Sequence, residues 1–293
     1  MNILITGGTG FIGSALTKAL VNRGDSVCIL SRNKSKVMQG IESFENISEI
    51  NKNTDLDAII NLAGAPIDKR WTQSYKKKLL GSRITTTQNI ITLIKKLKNK
   101  PKILISASAI GYYGNQGDVI IDEDAEPNDE FTHKLCQQWE SEARKAELEG
   151  VNVCITRLGV VLGKDNGALK KMLPAFKMAI GGRLGSGQQY FSWVHIDDVI
   201  SAFLFLLENN KNSTYNLSAP NPVTNSTFTK SLGKQLNRPT ILPMPGFIIR
   251  ILFGEMGQKL LLNGQRVIPQ KLQDEGFNFK YPVIESALKD ILK

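Results

Sequence analysis

The sequence predicts an α/β fold: a doubly wound parallel sheet with a smaller C-terminal lobe on the substrate side. Three observations predict it. Short apolar runs alternate with amphipathic stretches through the first half. The first run ends in a glycine cluster, "TGGTGFIG". Beyond Ser218 the chain turns proline-rich, as in "APNPV", "NRPTILPMPG" and "VIPQK". Alternation of this kind belongs to a parallel sheet with helices on both faces.

Strand-like runs occur at Asn2–Ile5, Val27–Leu30, Ala58–Leu62, Ile103–Ser106 and Val153–Thr156. The first predicted helix carries Ala15, Leu16, Ala19 and Leu20 on one face, and Gly24 follows it as a C′ residue would. Phe131, Leu135, Trp139, Ala143 and Ala146 recur at helical spacing between Phe131 and Leu148. "HIDDVISAFLFLLENN" reads as a very apolar helix capped near Asp197 or Asp198. The expected division is a dinucleotide-binding domain over 1–163 with 190–217, and a smaller lobe over 164–189 with 218–293. No internal repeat or low-complexity linker interrupts it.

The bulk composition sets limits on function. The chain has 293 residues, 41% hydrophobic and 22% charged, enough for a large core and ordinary for a globular protein. No apolar stretch approaches the roughly 18–20 residues that span a bilayer, and no targeting segment is evident, so a cytoplasmic protein without membrane contact is expected. The net charge is +10. Its densest runs, "YKKKLLGSR" and "IKKLKNKPK", lack interleaved aromatics and match no nucleic-acid motif. They read as solvated helix faces, in a field that favours anionic ligands. The three cysteines (Cys28, Cys136, Cys154) and two histidines show no metal spacing.

The glycines carry the first functional signal. Gly7 permits a tight turn out of the first strand. Gly10 lets the backbone approach a pyrophosphate, and Gly13 lets the helix pack closely on the strand. The helix N-terminus offers free N–H groups and the positive end of its dipole to phosphates. A glycine triad is weak alone. Here it follows a strand, opens a helix and lies in a βαβ-like unit, the context of a Rossmann dinucleotide site. The second strand ends in Ser31 and Arg32, with Lys34 and Lys36 beyond and no acid before Glu42. An acid at this place would meet a ribose 2′-hydroxyl, whereas an arginine accommodates a 2′-phosphate. NADP is therefore the expected cofactor. "NLAGAP" supplies a small-residue loop where bulk would block the adenine and ribose.

These motifs resemble the extended short-chain dehydrogenase/reductase superfamily, and within it the atypical "epimerase family" branch. The matching pieces include "TGGTGFIG", "NLAGAPIDKRW", "KKKLLGSRITTT", "SASAIGYYG", "TRLGVVLGKDNGAL", "GGRLGSGQQYFSWVHIDD" and "QRVIPQKLQDEGFNFKY", spread along nearly the whole chain. The resemblance implies an NADP site using Gly7, Thr9, Gly10, Phe11, Ile12, Gly13, Ser31 and Arg32. It adds Leu62, Ala63, Gly64 and Arg83, with Val160 and Val161 against the nicotinamide. It implies a small-molecule substrate, a sugar nucleotide or a small carbonyl or polyol compound. A homodimer is compatible with it.

The superfamily's acid–base pair is a tyrosine with a lysine four residues on. No tyrosine here has one: the residues four on from Tyr75, Tyr112, Tyr113, Tyr190, Tyr215 and Tyr281 are Leu79, Gln116, Gly117, Val194, Ala219 and Glu285. The corresponding positions fall at about Thr132 and Cys136. Ser108 matches the hydroxyl position that orients the substrate, and Tyr112 or Tyr113 stands close enough in sequence to serve as the acid. A cofactor-binding sensor without catalysis is the rival expectation. His133 is expected on the helix surface and Cys136 as a buried structural thiol. Gln188 and Trp193 are expected at the substrate mouth, and His195 either there or orienting that loop.

Overall fold

A computed structural model describes residues 1–164 and 166–293. The strands are β1 Asn2–Thr6, β2 Ser26–Leu30, β3 Glu42–Phe44, β4 Ala58–Asn61, β5 Ile103–Ala109, β6 Ile120–Ile121, β7 Asn152–Leu158, β8 Val160–Leu162, β9 Tyr190–Phe191, β10 Trp193–His195, β11 Thr214–Leu217, β12 Val223–Thr224 and β13 Arg266–Val267. The helices are α1 Phe11–Arg23, α2 Gln73–Lys96, α3 Phe131–Arg144, α4 Gly167–Lys177, α5 Ile196–Glu208, α6 Asn225–Leu236, α7 Gly246–Gly257, α8 Gln270–Asp274 and α9 Ile284–Ile291.

Seven strands form one sheet in the order β11-β7-β5-β4-β1-β2-β3, and every pairing in it is parallel. The chain runs outward from β1 to β3, then restarts at β4 and runs the other way. The reversal between β1 and β4 is the switch point at which such sheets open a crevice. Strands buried on both faces need continuous apolar runs, and Ile3, Leu4, Ile5, Ala58, Ile59 and Ile60 are all fully buried. One core, with Leu16, Leu20, Phe203 and Leu206, lies under α1 and α5. The other, with Ile90, Ile94, Ala143 and Ala146, lies under α2 and α3.

The second lobe has its own core, which includes Leu162, Phe176, Trp193, Phe228, Leu232, Leu288 and Ile291. The segments 160–162 and 193–195 pair with each other outside the central sheet and carry Leu162 and Trp193 into the second core. Conversely, Leu272 and Phe277 of the C-terminal segment pack into the first core.

Asp197 and Asp198 do not cap α5. The cap is His195, whose Nδ1 accepts from the Asp197 N–H at 3.0 Å. Asp198 instead accepts the N–H groups of Lys280 and Tyr281 at 2.7 and 3.0 Å, tying the C-terminal segment to α5. Among the described residues no helix is long and apolar enough to cross a membrane.

Candidate functional site

The crevice is built from strand ends. After β1, Gly7 takes φ +73°, and a Cβ there would stand 2.7 Å from the Leu62 carbonyl group. The loops after β1 and β4 are thus in van der Waals contact, which requires glycine at that point. Gly10 donates to the Gly7 carbonyl at 2.9 Å and opens α1. A Cβ on Gly13 would lie 2.2 Å from that same carbonyl oxygen, so the first turn of α1 rests directly on the glycine loop. Thr9 and Ile12 are half-buried beside it. The Phe11 ring fills the space over Gly163 and Gly167, where added Cβ atoms would meet it at 2.6 and 2.9 Å. Among the described residues no side chain caps α1, and its first turn carries no acid. The leading N–H groups, which have no intrahelical partners, are thus left at the positive end of the helix dipole without a side-chain acceptor among the described residues.

The end of β2 adds a cation. Ser31 is buried, and its hydroxyl donates to the Asn33 carbonyl and accepts the Asn33 N–H. This turn leaves Arg32 exposed. Neither a hydrogen bond nor an ion pair engages its guanidinium among the described residues. At the end of β4, Asn61 accepts from the Thr6 hydroxyl at 2.7 Å and donates to Thr87 at 2.9 Å, all buried. This network fixes the exit toward Leu62 and Ala63.

Arg83 lies against Gly64, where a Cβ would be 3.0 Å from the guanidinium carbon. It donates to the Ala65 and Leu79 carbonyls at 3.3 and 3.1 Å, and burial lowers its pKa from the usual value. It therefore shapes the loop from within. Val160 and Val161 are half-buried on β8, held by β10.

The expected catalytic hydroxyls have different fates. Ser108, on β5, is buried and donates to Glu140 Oε1 at 2.6 Å. Glu140 in turn is paired with Arg157 through Nε and a terminal nitrogen at 3.0 and 2.9 Å. Burial alone would lower the Arg157 pKa, but the hydrogen bonds and charge of Glu140 raise it. Arg157 also donates to the Tyr113 hydroxyl at 2.9 Å, and that hydroxyl donates to Asn216 at 2.7 Å. Tyr113 is fully buried, and burial pushes its pKa up to about 12 against the pull of Arg157. Ser108 and Tyr113 therefore belong to a saturated internal network. Tyr112 differs. It is half-buried, and the Arg157 guanidinium stacks 3.4 Å from its ring centroid. Its hydroxyl has no partner among the described residues.

Other expectations change as well. Thr132 and Cys136 are buried on α3, one turn apart, with Glu140 a further turn along. Burial pushes the Cys136 thiol up to about 11, with Glu140 adding to it. His133 is buried rather than on the surface: Nδ1 lies 2.8 Å from the Tyr112 carbonyl, and its ring meets that of Tyr112 edge-on. Trp193 and His195 point inward, into the second core and onto α5, while Gln188 stays exposed. The sequence reading missed Glu140 and Arg157. A lone arginine inside the apolar run "CITRLG" was the available signal, since a charge in a buried strand demands a partner.

Comparison with known proteins places this geometry in a lineage. Residues 3–218 match the model of the NAD dependent epimerase/dehydratase family. The chain belongs to that family. Residues 244–291 match a separate model described as a domain of unknown function, DUF1731. The chloroplastic "Epimerase family protein SDR39U1 homolog" of Arabidopsis thaliana is 40% identical, over all of this chain and 87% of its own length. "Epimerase family protein YfhF" of Bacillus subtilis is 38% identical over all of this chain and 98% of its own. The crystal structure of human epimerase family protein SDR39U1 with NADPH superposes with a TM-score of 0.92 at 34% identity, covering 99% of each chain. A UDP-glucose 4-epimerase from Thermotoga maritima, 19% identical, reaches a TM-score of 0.82 over all of this chain and 97% of its own, and so shares the fold.

Proposed function

We propose that this epimerase/dehydratase family member binds NADP(H) at the start of α1. We further propose that it acts as an oxidoreductase or epimerase on a small carbonyl, polyol or sugar-nucleotide substrate, without a Tyr-x-x-x-Lys pair. One observation carries the cofactor half: a helix N-terminus on a glycine loop with no side-chain cap among the described residues, and Arg32 exposed and unengaged by them at the end of the next strand. The human relative crystallised with NADPH supports the same choice.

In this reading the first-turn N–H groups of α1 hold the pyrophosphate, and Gly10 admits it without a side chain in the way. Arg32 holds the 2′-phosphate by paired, charge-assisted hydrogen bonds. Leu62, Ala63 and Gly64 form the floor, with Arg83 bracing it from below. Val160 and Val161 stand on the nicotinamide side. When bound, the cofactor supplies or accepts the hydride. The proton falls to Tyr112, since Ser108 already gives its own to Glu140 and Tyr113 is saturated. The partner this implies is a small molecule, not nucleic acid or membrane.

A second reading is a sensor that binds the same cofactor and catalyses nothing. The engagement of Ser108 by Glu140, with Thr132 and Cys136 at the acid–base positions, favours it specifically. Parallel fluorescence titrations with NADPH and NADH test the shared half. Wild type is expected to prefer NADPH, and Arg32→Ala to weaken NADPH about tenfold or more while sparing NADH. Equal losses for both would remove the 2′-phosphate assignment. A carbonyl-substrate screen separates the two readings: turnover lost in Tyr112→Phe supports the enzyme, whereas tight binding without turnover supports the sensor.

A further inference from the structure

The C-terminal lobe contains a second anion-friendly cavity, and none of its lining belongs to the cofactor constellation. It has a volume of about 250 Å³ and is lined by Arg183, Ser226, Thr229, Lys230, Thr240, Ile241 and Pro243. Two features of the chain bring its charges together. Gly187 adopts φ +75°, and a Cβ on it would stand 3.2 Å from both the Arg183 and Ser226 Cβ atoms. The glycine loop thus folds Arg183 against the start of α6. Lys230 follows Ser226 by four residues, so both face the same side of the helix.

Neither Arg183 nor Lys230 pairs with an acid among the described residues, and no carboxylate lines the cavity. Thr229 is 2% exposed, and its hydroxyl has no hydrogen-bond partner among the described residues. A buried hydroxyl without a partner is costly unless something else meets it. Nor does the helix start supply the explanation. The Asn225 and Ser226 N–H groups donate to Gln189 and Gly187 carbonyls, and that of Thr227 to the Thr224 hydroxyl. The side chains are what remain to bind.

We propose that this cavity is a binding site for a small phosphate monoester. Two cations match a dianion. An arginine fork, an ammonium and the hydroxyls of Ser226 and Thr240 match the several acceptor positions of a phosphate better than the two oxygens of a carboxylate. Ile241 and Pro243 form an apolar wall, which suits the organic body of an ester. The volume is near the lower end for small-molecule sites, roughly 300 Å³.

The test is isothermal titration of the full-length protein with phenyl phosphate, inorganic phosphate and benzoate. Phenyl phosphate is expected to bind, and the other two at least about tenfold more weakly. Arg183→Gln and Lys230→Gln, both exposed and expected to leave the unfolding temperature unchanged, should each weaken phenyl phosphate by about tenfold or more, the worth of one charge-assisted hydrogen bond. Arg32→Ala should leave it unchanged. Benzoate binding as well as phenyl phosphate would overturn the phosphate assignment, and inorganic phosphate binding as well would overturn the ester. Absence of binding, or binding insensitive to Arg183 and Lys230, would overturn the site itself. Loss in Arg32→Ala alone would place the binding at α1 instead, a result separate from failure of the cofactor reading.

Discussion

Replacing Arg157 with methionine isolates the buried pair beneath the candidate site. Arg157 and Glu140 are each 6% exposed and joined by two hydrogen bonds of 3.0 and 2.9 Å. The variant keeps most of the side chain's bulk but leaves the Glu140 carboxylate buried without its cation. Breaking such a pair costs about 3–5 kcal/mol. At roughly 2 °C per kcal/mol for a chain of this size, the unfolding temperature should fall by about 6–10 °C. Glu140→Leu should do similar damage by stranding the guanidinium. The double variant removes both charges. It gives up the Ser108 and Tyr113 partners, at about 1 kcal/mol each, but strands no ion. Its loss should therefore fall short of the sum of the single losses by about 3 kcal/mol or more. Urea unfolding of the four proteins closes the cycle, and 0.5 M salt should change the coupling little because the pair is shielded from solvent. Additive single losses below about 1 kcal/mol each would refute the network as the element that holds Ser108.

His195 should make stability depend on pH. Burial lowers its pKa, against the opposing pull of Asp197, Asp198 and Asp290, with Lys280 adding to the lowering. The unfolded chain then takes up the proton first, so stability is lost as pH falls below about 6.5, by at most about 1.4 kcal/mol per pH unit. His195→Asn keeps an acceptor for the α5 cap and should flatten unfolding temperature between pH 7 and 5.5; equal slopes would sink the assignment. Gly13→Ala forces a Cβ to within 2.2 Å of the Gly7 carbonyl and should both destabilise the fold and weaken NADPH in a fluorescence titration. Gly81→Ala, mid-helix with open space around it, should stabilise by about 0.5–1 kcal/mol; the reverse order would refute the packing argument. Burial pushes Cys28 up to about 12 and Cys136 up to about 11, and raises Cys154 as well. A disulfide reagent at pH 8 should leave the native protein untouched and label three thiols in urea.

The dinucleotide half of the fold was legible because its signals are local. Gly7, Gly10 and Gly13 each answer a steric demand set within a few residues or by the adjacent strand end. The five long strands are apolar enough to announce themselves. β3 and β11 were missed for the opposite reason. "ESF" is short and edge-placed, and "TYNL" carries Asn216, whose side chain is spent on Tyr113 and the Ile268 carbonyl. The inward turn of Trp193 was illegible, and that of His195 stayed open between two roles, because both depend on the partner surface. Trp193 packs in a core assembled from residues 162–291, and His195 stacks on Tyr281. Whether a polar aromatic segment lines a cleft or a core is settled by long-range pairing, which spacing does not encode.

The same distinction explains the chemistry. On α3, Thr132, Cys136 and Glu140 recur at every fourth residue and so share one face. A tyrosine and lysine at the first two positions would present a proton relay from that face. Here the first two are small and buried. A Cβ on Gly111 would come 3.2 Å from the Thr132 Cβ, so the turn at 110–113 settles closely onto the helix. That descent carries Tyr113 inward to Arg157 and Asn216, and brings Ser108 and Arg157 together on Glu140. A relay that takes up and releases a proton needs a group balanced between two states. The Glu140–Arg157 pair is the opposite, a carboxylate and a guanidinium locked by mutual burial and two hydrogen bonds. What the network leaves outside itself is Tyr112, its ring stacked by Arg157 and met edge-on by His133, its hydroxyl without a partner among the described residues. Under the proposed reading, the face that would have held the acid–base pair has become the support that orients a single phenol.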